Sequence, residues 1–286
     1  METTLISTAA RAAQAGPRSA AATKLRDWFV VLHRCNPVLS WPAWLHVVLL
    51  LGALLLVPFD NRLVTGVNPW IKPAKFAISG AIYLWSLGWL LADLPAPAQR
   101  AVRCISWGVA AAMMVELAVI YVQAARGTTS HYNGSSALNA VLFSLMGIFI
   151  MLNTGLIAWA LRLTWQYRPH GPAAYGWGMR LGLLLFLVGS LVGGMMIRLS
   201  AHTVGAPDGG SGMLGLGWST RAGDLRIAHF LGLHALQVVP LVGWLLARYV
   251  PQRAVTGTWL FALAYATFVG LLFWQAMQGV PLLAAP

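Results

Sequence analysis

The chain has 286 residues, of which 58% are hydrophobic and only 9% are charged, and its mean hydropathy is +0.69. Soluble domains are about one quarter charged, so this chain has too few charges to cover a water-facing surface. Its formal net charge of +12 does not indicate nucleic-acid binding, because the 19 basic residues are spread over loops and helix ends rather than along one basic helix. The composition predicts an integral membrane protein in contact with the lipid bilayer.

The region before the first apolar block has a different composition. Residues 1–23 are rich in Ala, Ser, Thr and Arg and lack the apolar core of a secretory signal, which favours a disordered cytoplasmic tail. Residues 24–41 place charged groups around aromatic side chains, and we expect them to lie in the membrane interface.

Apolar blocks of membrane-crossing length then recur along the chain. A helix needs about 20 apolar residues to cross about 30 Å of hydrocarbon, and lipid cannot satisfy exposed backbone groups. The sequence therefore predicts an all-α bundle of seven transmembrane helices in a single domain, residues 42–286, with six or eight spans as alternatives. The predicted spans are 42–58, 74–92, 102–125, 137–162, 178–200, 224–247 and 255–276.

The distribution of basic residues predicts the orientation of this bundle. Twelve basic residues fall on the N-terminal side of the membrane and seven on the opposite side. Because cytoplasmic loops carry an excess of Lys and Arg, this bias favours a cytoplasmic N-terminus and an external C-terminus. The expected location is a bacterial inner (plasma) membrane.

An acidic residue, Glu116, lies within the third span. A carboxylate at the bilayer centre costs about 2.5–3.5 kcal/mol on insertion scales, so such a residue normally faces the bundle interior and has a polar partner. His234, in the sixth span, is expected to lie at a similar depth. We therefore predict that Glu116 and His234 form a catalytic acid–base pair or a proton relay.

Further polar residues follow single faces of the predicted helices. Lys72, Lys75 and Tyr83 share a face of the second span. Arg226 and Gln237 fall within one arc of the sixth span. Because lipid cannot satisfy these groups, the polar faces should turn inward around a shared cavity. The candidate ligand-binding residues are Lys72, Lys75, Tyr83, Gln123, Arg126, Arg198, Arg226 and Gln237.

The cations among these candidates cluster near the outer ends of their helices. Lys72, Arg126 and Arg198 are examples, and the loops beside them are richer in polar residues than the inner loops. The cavity is therefore expected to open outward. Several cations near one rim favour a small anionic or amphipathic ligand that carries a carboxylate, a phosphate, a lipid headgroup or a haem propionate.

Three histidines are expected near the same rim, namely His131, His202 and His229. Imidazole is the commonest protein ligand for metals, so these residues are candidates for binding a haem iron or a transition metal. The sequence contains no HExxH pattern and no metal-type spacing of its two cysteines.

Three functions remain open from the sequence. The first is a membrane protein whose outward-facing cavity binds an anionic ligand or a haem or metal cofactor, with redox chemistry as one version. The second is a proton-coupled transporter of a small anion, with Glu116 as the proton carrier. The third is a non-catalytic subunit of a membrane complex or a homo-oligomer. The small-residue pattern from Gly189 to Gly194 could serve such an interface, although helix packing within the chain is the simpler explanation.

Overall fold

A computed structural model describes residues 27–209, 212–213 and 216–284. The predicted tail, residues 1–23, and the beginning of the predicted interfacial segment lie outside the described residues. Residues 27–35 are helical and lead directly into the first long helix. That helix begins earlier than the predicted first span because Asn36 caps it: its side chain accepts a hydrogen bond from the backbone N of Leu39 at 3.2 Å.

The prediction of an all-α membrane bundle is confirmed. Within the described residues, seven helices are long and apolar enough to cross a membrane, and each overlaps one predicted span. They are α1 (Pro37–Leu56), α2 (Ile71–Ala92), α3 (Gln99–Ala125), α4 (Ala137–Gln166), α5 (Ala173–Leu199), α6 (Leu225–Tyr249) and α7 (Ala254–Met277). Two short antiparallel strands, β1 (Thr203–Val204) and β2 (Gly223–Asp224), pair in the loop between α5 and α6.

Two faces of the bundle differ in their loops. The loops that follow α1, α3 and α5 lie on one side, which we call the loop-rich face; they span residues 57–70, 126–136 and 200–224. The opposite side, where α1 begins, is called the N-terminal face. The loop-rich face is the one that the basic residues predict to be external.

The helices pack in two groups. Helices α1 to α4 pack against one another, while α5 packs most extensively on α6 and α7 covers both. Glycines permit the close approach of α5 and α6: a Cβ added to Gly189 would lie 2.7 Å from the carbonyl carbon of Gly232, and one added to Gly178 would lie 2.7 Å from the Cα of Pro240. Gly189 in the small-residue pattern therefore serves packing within the chain.

One apolar core joins the two groups, and it lies in the half of the bundle toward the N-terminal face. Its buried members come from both groups and include Leu39, Leu87, Ile105, Ile157, Met179 and Leu236. In the other half, the groups have separate cores. Met146 of α4 packs with α3, whereas Val192 and Met196 of α5 pack with α6 and α7. Among the described residues, the helices of the two groups thus share an apolar core only toward the N-terminal face.

Candidate functional site

A cavity of about 1140 Å³ lies between the two helix groups, in the half toward the loop-rich face. Helices α2 to α6 contribute to its wall, together with residues of the three loops on that face. Much of the wall is apolar and aromatic, and includes Phe76, Met113, Ile120, Phe143, Met146 and Phe186. The cavity exists because the apolar core that joins the two groups at the N-terminal face does not continue into this half.

Ten of the thirteen candidate site residues line this cavity. They are Lys72, Lys75, Tyr83, Glu116, His131, His202, Arg226, His229, His234 and Gln237. The inward-turning polar faces of α2, α3 and α6 therefore converge as their helical periodicity indicates.

The other three candidates lie away from the cavity wall. Arg126 donates hydrogen bonds to Oε1 of Gln123 at 2.5 Å and to Oδ1 of Asn139 at 2.7 Å. Gln123 donates to the same oxygen of Asn139 at 3.0 Å. This network ties the end of α3 to the start of α4. Arg198 is exposed in the last turn of α5, a position from which a long side chain reaches the headgroup region.

The polar centre of the cavity is a chain of three side chains. Nζ of Lys72 lies 3.2 Å from Nδ1 of His131, and Nε2 of His131 lies 3.7 Å from Oε1 of Glu116. A lysine ammonium can only donate, so Nδ1 of His131 accepts and the ring proton is assigned to Nε2, which faces the carboxylate. The hydroxyl of Ser130, 3.1 Å from Nδ1, can donate to the same nitrogen.

The surroundings of His131 favour its neutral form. Burial is the main cause that lowers the pKa of His131 well below its ordinary value, and the neighbouring charge of Lys72 lowers it further. A neutral imidazole between an ammonium and a carboxylate can accept a proton on one side and release one on the other. The Lys72–His131–Glu116 chain is therefore suited to moving a proton.

Among the described residues, Oε2 of the Glu116 carboxylate has no hydrogen-bond donor. The residue is only 7% exposed, and within the described part of the chain Oε2 has no hydrogen-bond partner. Leaving a buried acceptor unsatisfied costs about 1–3 kcal/mol, and more if it is charged. A ligand with a hydroxyl or amine group at this oxygen would remove that cost.

The imidazole that contacts Glu116 is thus His131, whereas the sequence pointed to His234. His234 lines the same cavity, but its ring packs against Phe230, with ring centroids 4.2 Å apart. Helical periodicity predicts the direction in which a side chain on a helix faces. It says little about His131, which lies in the loop between α3 and α4. The loop's polar composition was the only sequence signal for it.

Tyr83 lies where the cavity meets the shared apolar core. Its hydroxyl donates to Oδ1 of Asn153 at 2.8 Å, and its ring stacks on Phe186 with centroids 5.4 Å apart. These three residues come from α2, α4 and α5, so they join the two helix groups at this end of the cavity.

Two of the rim cations are already engaged. Arg226 binds the carboxylate of Asp224 through Nε at 2.9 Å and Nη2 at 2.5 Å, and Nη2 also donates to the carbonyl of Gly217. Lys75 donates to the carbonyl of Leu216 at 2.9 Å. Since Arg126 and Arg198 lie elsewhere, the net positive charge at the cavity is smaller than the sequence suggested. This wall suits a head with both hydrogen-bond acceptors and donors better than a highly charged anion.

Two cavity histidines are oriented by fixed partners. Nδ1 of His202 lies 2.7 Å from the carboxylate of Asp208, and Nδ1 of His229 donates to the carbonyl of Gly189 at 2.8 Å. Burial raises the pKa of Asp208, but the hydrogen bonds that it accepts from His202 and Thr203 outweigh burial and hold that pKa well below its usual range.

Hydrogen-bond partners like those of His202 and His229 also orient imidazoles that bind metals. The part of the chain that the structure describes nevertheless contains no group of three His, Cys, Asp or Glu side chains placed to hold a metal ion. His131, moreover, already contacts Lys72 through one ring nitrogen and faces Glu116 with the other. A haem or metal site at His131, His202 and His229 therefore stays a prediction from the sequence.

Comparison of the chain with protein-family models, with curated proteins and with solved structures gives no significant match. The candidate site is therefore interpreted from its own residues and their geometry.

Proposed function

We propose that this protein binds an amphipathic ligand in its intramembrane cavity and holds the polar head of that ligand at Lys72, His131 and Glu116. The observation that carries the proposal is Glu116, a residue of the cavity wall whose buried Oε2 has no hydrogen-bond partner among the described residues. A large apolar wall around a small polar centre is typical of ligand sites in proteins.

Each polar residue has a distinct role in this proposal. Lys72 donates to an oxygen of the head, and Lys75 adds positive charge at the rim. Glu116 accepts a hydrogen bond from a hydroxyl or amine of the same head. His131 lies between the ammonium and the carboxylate, so it can relay a proton between Lys72 and Glu116, the two residues that contact the head.

The test is to identify what remains bound when the protein is extracted directly from membranes into lipid nanodiscs. Mass spectrometry should find one amphiphile at near-stoichiometric level in the wild type. A hydrogen bond to a charged group contributes about 1.5–3 kcal/mol, so Glu116→Gln and Lys72→Gln should each weaken binding by about tenfold or more and lower the occupancy below that of the wild type. Arg198→Gln is the matched control, because it removes a cation outside the cavity wall.

Two results would contradict the proposal. One is equal occupancy by the amphiphile in all four proteins, and the other is the absence of any specific amphiphile from the wild type. If Glu116→Gln instead changed only the association of the chain with other subunits, the complex-subunit function would be favoured.

A further inference from the structure

We infer that the ligand is a lipid-soluble amphiphile that enters the cavity sideways from the bilayer, through an opening between α4 and α5. This inference rests on the proposed function, because it concerns the same cavity. It adds the class of ligand and the route by which the ligand reaches Glu116.

The cavity reaches the surface of the bundle between these two helices. Met151 of α4 and Leu191 of α5 both line the cavity, yet they are 67% and 73% exposed. Gly194 of α5 also lines the cavity and is exposed. At a rise of about 1.5 Å per residue, Leu191 lies about 12 Å from the end of α5, which is at the depth of the acyl chains.

The opening follows from the way the two helix groups pack. Toward the N-terminal face, Ile157 and Leu163 of α4 share one core with Met179 and Leu183 of α5. Nearer the loop-rich face, the two helices belong to different clusters. Within the described residues, no hydrogen bond joins residues 137–156 of α4 to residues 187–199 of α5.

On the loop-rich face, hydrogen bonds hold described residues of the 200–224 loop beside the cavity. Lys75 binds the carbonyl of Leu216, and Arg226 binds the carbonyl of Gly217. The Asp208 carboxylate accepts bonds from the backbone N of His202 at 2.9 Å and of Thr203 at 2.8 Å. These hydrogen bonds hold residues of the 200–224 loop near the cavity. In the described part of the chain, no comparable hydrogen bond spans the opening between α4 and α5.

The wall between the opening and Glu116 suits an acyl chain. It includes Ile150, Met146 and Met113. The hydroxyls of Thr154 and Ser190 donate back to carbonyls of their own helices at 2.9 Å and 3.0 Å, so they present no unsatisfied donor to the cavity. Because binding a small anion alone would leave most of this apolar wall uncovered, the cavity fits an amphiphile with its head at Glu116 and its tail toward the bilayer.

Substitutions at two glycines can narrow the opening between α4 and α5. A Cβ added to Gly147 of α4 or to Gly194 of α5 would meet nothing within 4 Å, and both residues line the cavity. Gly155 of α4 has the same free space but does not line the cavity. Tryptophan at Gly147 or Gly194 should therefore obstruct the opening, and Gly155→Trp is the matched control.

The experiment uses the full chain in lipid nanodiscs with a monoacylglycerol, whose head carries hydroxyl donors, and whose acyl chain carries a photoreactive diazirine near that head. After brief illumination at successive times, mass spectrometry locates the cross-linked residues. In the wild type and Gly155→Trp, we expect cross-links on the cavity wall at Met113, Phe143 and Met146. Gly147→Trp and Gly194→Trp should slow this labelling by about tenfold or more, which corresponds to a barrier higher by about 1.4 kcal/mol. Leu191→Ala should speed it up.

Three results would overturn the inference. If cavity labelling kept its wild-type rate in both tryptophan variants and in Leu191→Ala, lateral access would be wrong although the cavity binds the probe. If wild-type labelling stayed on the lipid-facing surface, or if inorganic phosphate abolished cavity labelling, the ligand class would be wrong. The dependence of the co-purified molecule on Glu116 is a separate measurement, so failure of this inference can be told apart from failure of the proposed function.

Discussion

At the scale of single residues, the chemistry of the cavity depends on which nitrogen of His131 carries the proton. Lys72 can only donate to Nδ1, so Nε2–H faces Glu116. The sequence revealed Glu116, because a carboxylate in an apolar run is conspicuous and lipid cannot solvate it. It did not reveal His131 as the partner, since that pairing depends on the path of a loop.

His131 should stay neutral to an unusually low pH. Burial is the largest cause of its lowered pKa, and the charge of Lys72 is the next largest. Lys72→Met should therefore raise this pKa while leaving it below the ordinary value of about 6.5. Histidine-selective 15N NMR of the protein in detergent should show a neutral Nε2–H ring at pH 7 in both proteins. It should also show that the ring becomes protonated at a higher pH in the variant.

Lys75→Met is the control for this titration, because the neighbouring charges that lower the His131 pKa are those of Lys72, His202 and His229. A charged His131 at pH 7 in the wild type would contradict the assigned proton chain. So would an equal pKa in the wild type and in Lys72→Met.

At the scale of helices, close packing of α5 on α6 dominates the second group. The small-residue pattern in the fifth span predicted that another helix packs closely against it. It could not identify that helix, because a row of glycines permits the close approach of any helix. The structure identifies α6, through Gly189 against Gly232. Gly194 faces open space instead and lines the cavity, so one short sequence pattern serves both packing and the cavity wall.

Gly189→Ala should destabilise the protein. Its Cβ would lie 2.7 Å from the carbonyl carbon of Gly232, and backbone at that distance must shift, which typically costs about 1–3 kcal/mol. Thermal unfolding in detergent should show a clearly lower midpoint for Gly189→Ala. Gly194→Ala, with nothing within 4 Å of its Cβ, should unfold at the wild-type temperature or above it, because alanine has the higher helix propensity. Equal midpoints for both variants would show that α5 and α6 are not in backbone contact here.

At the scale of the whole molecule, the number and positions of the spans could be predicted because hydrocarbon thickness sets helix length. The division into two helix groups could not, since it depends on which apolar faces meet. That division explains why the rim is less positive than expected: Arg126 joins α3 to α4 within one group, and Arg198 ends α5 on the exposed surface. It also gives the cavity two sides on which ligand could enter, of which only the loop-rich one was apparent in the sequence.

The central claim is that the head of an amphiphile lies at Glu116 inside the cavity, and an experimental density map of the protein in lipid nanodiscs tests it most directly. We expect elongated density whose head lies within hydrogen-bonding distance of Oε2 of Glu116 and whose tail extends between α4 and α5. A map in which side chains of α4 and α5 close over the cavity, or in which Oε2 of Glu116 binds a protein donor instead, would contradict the account.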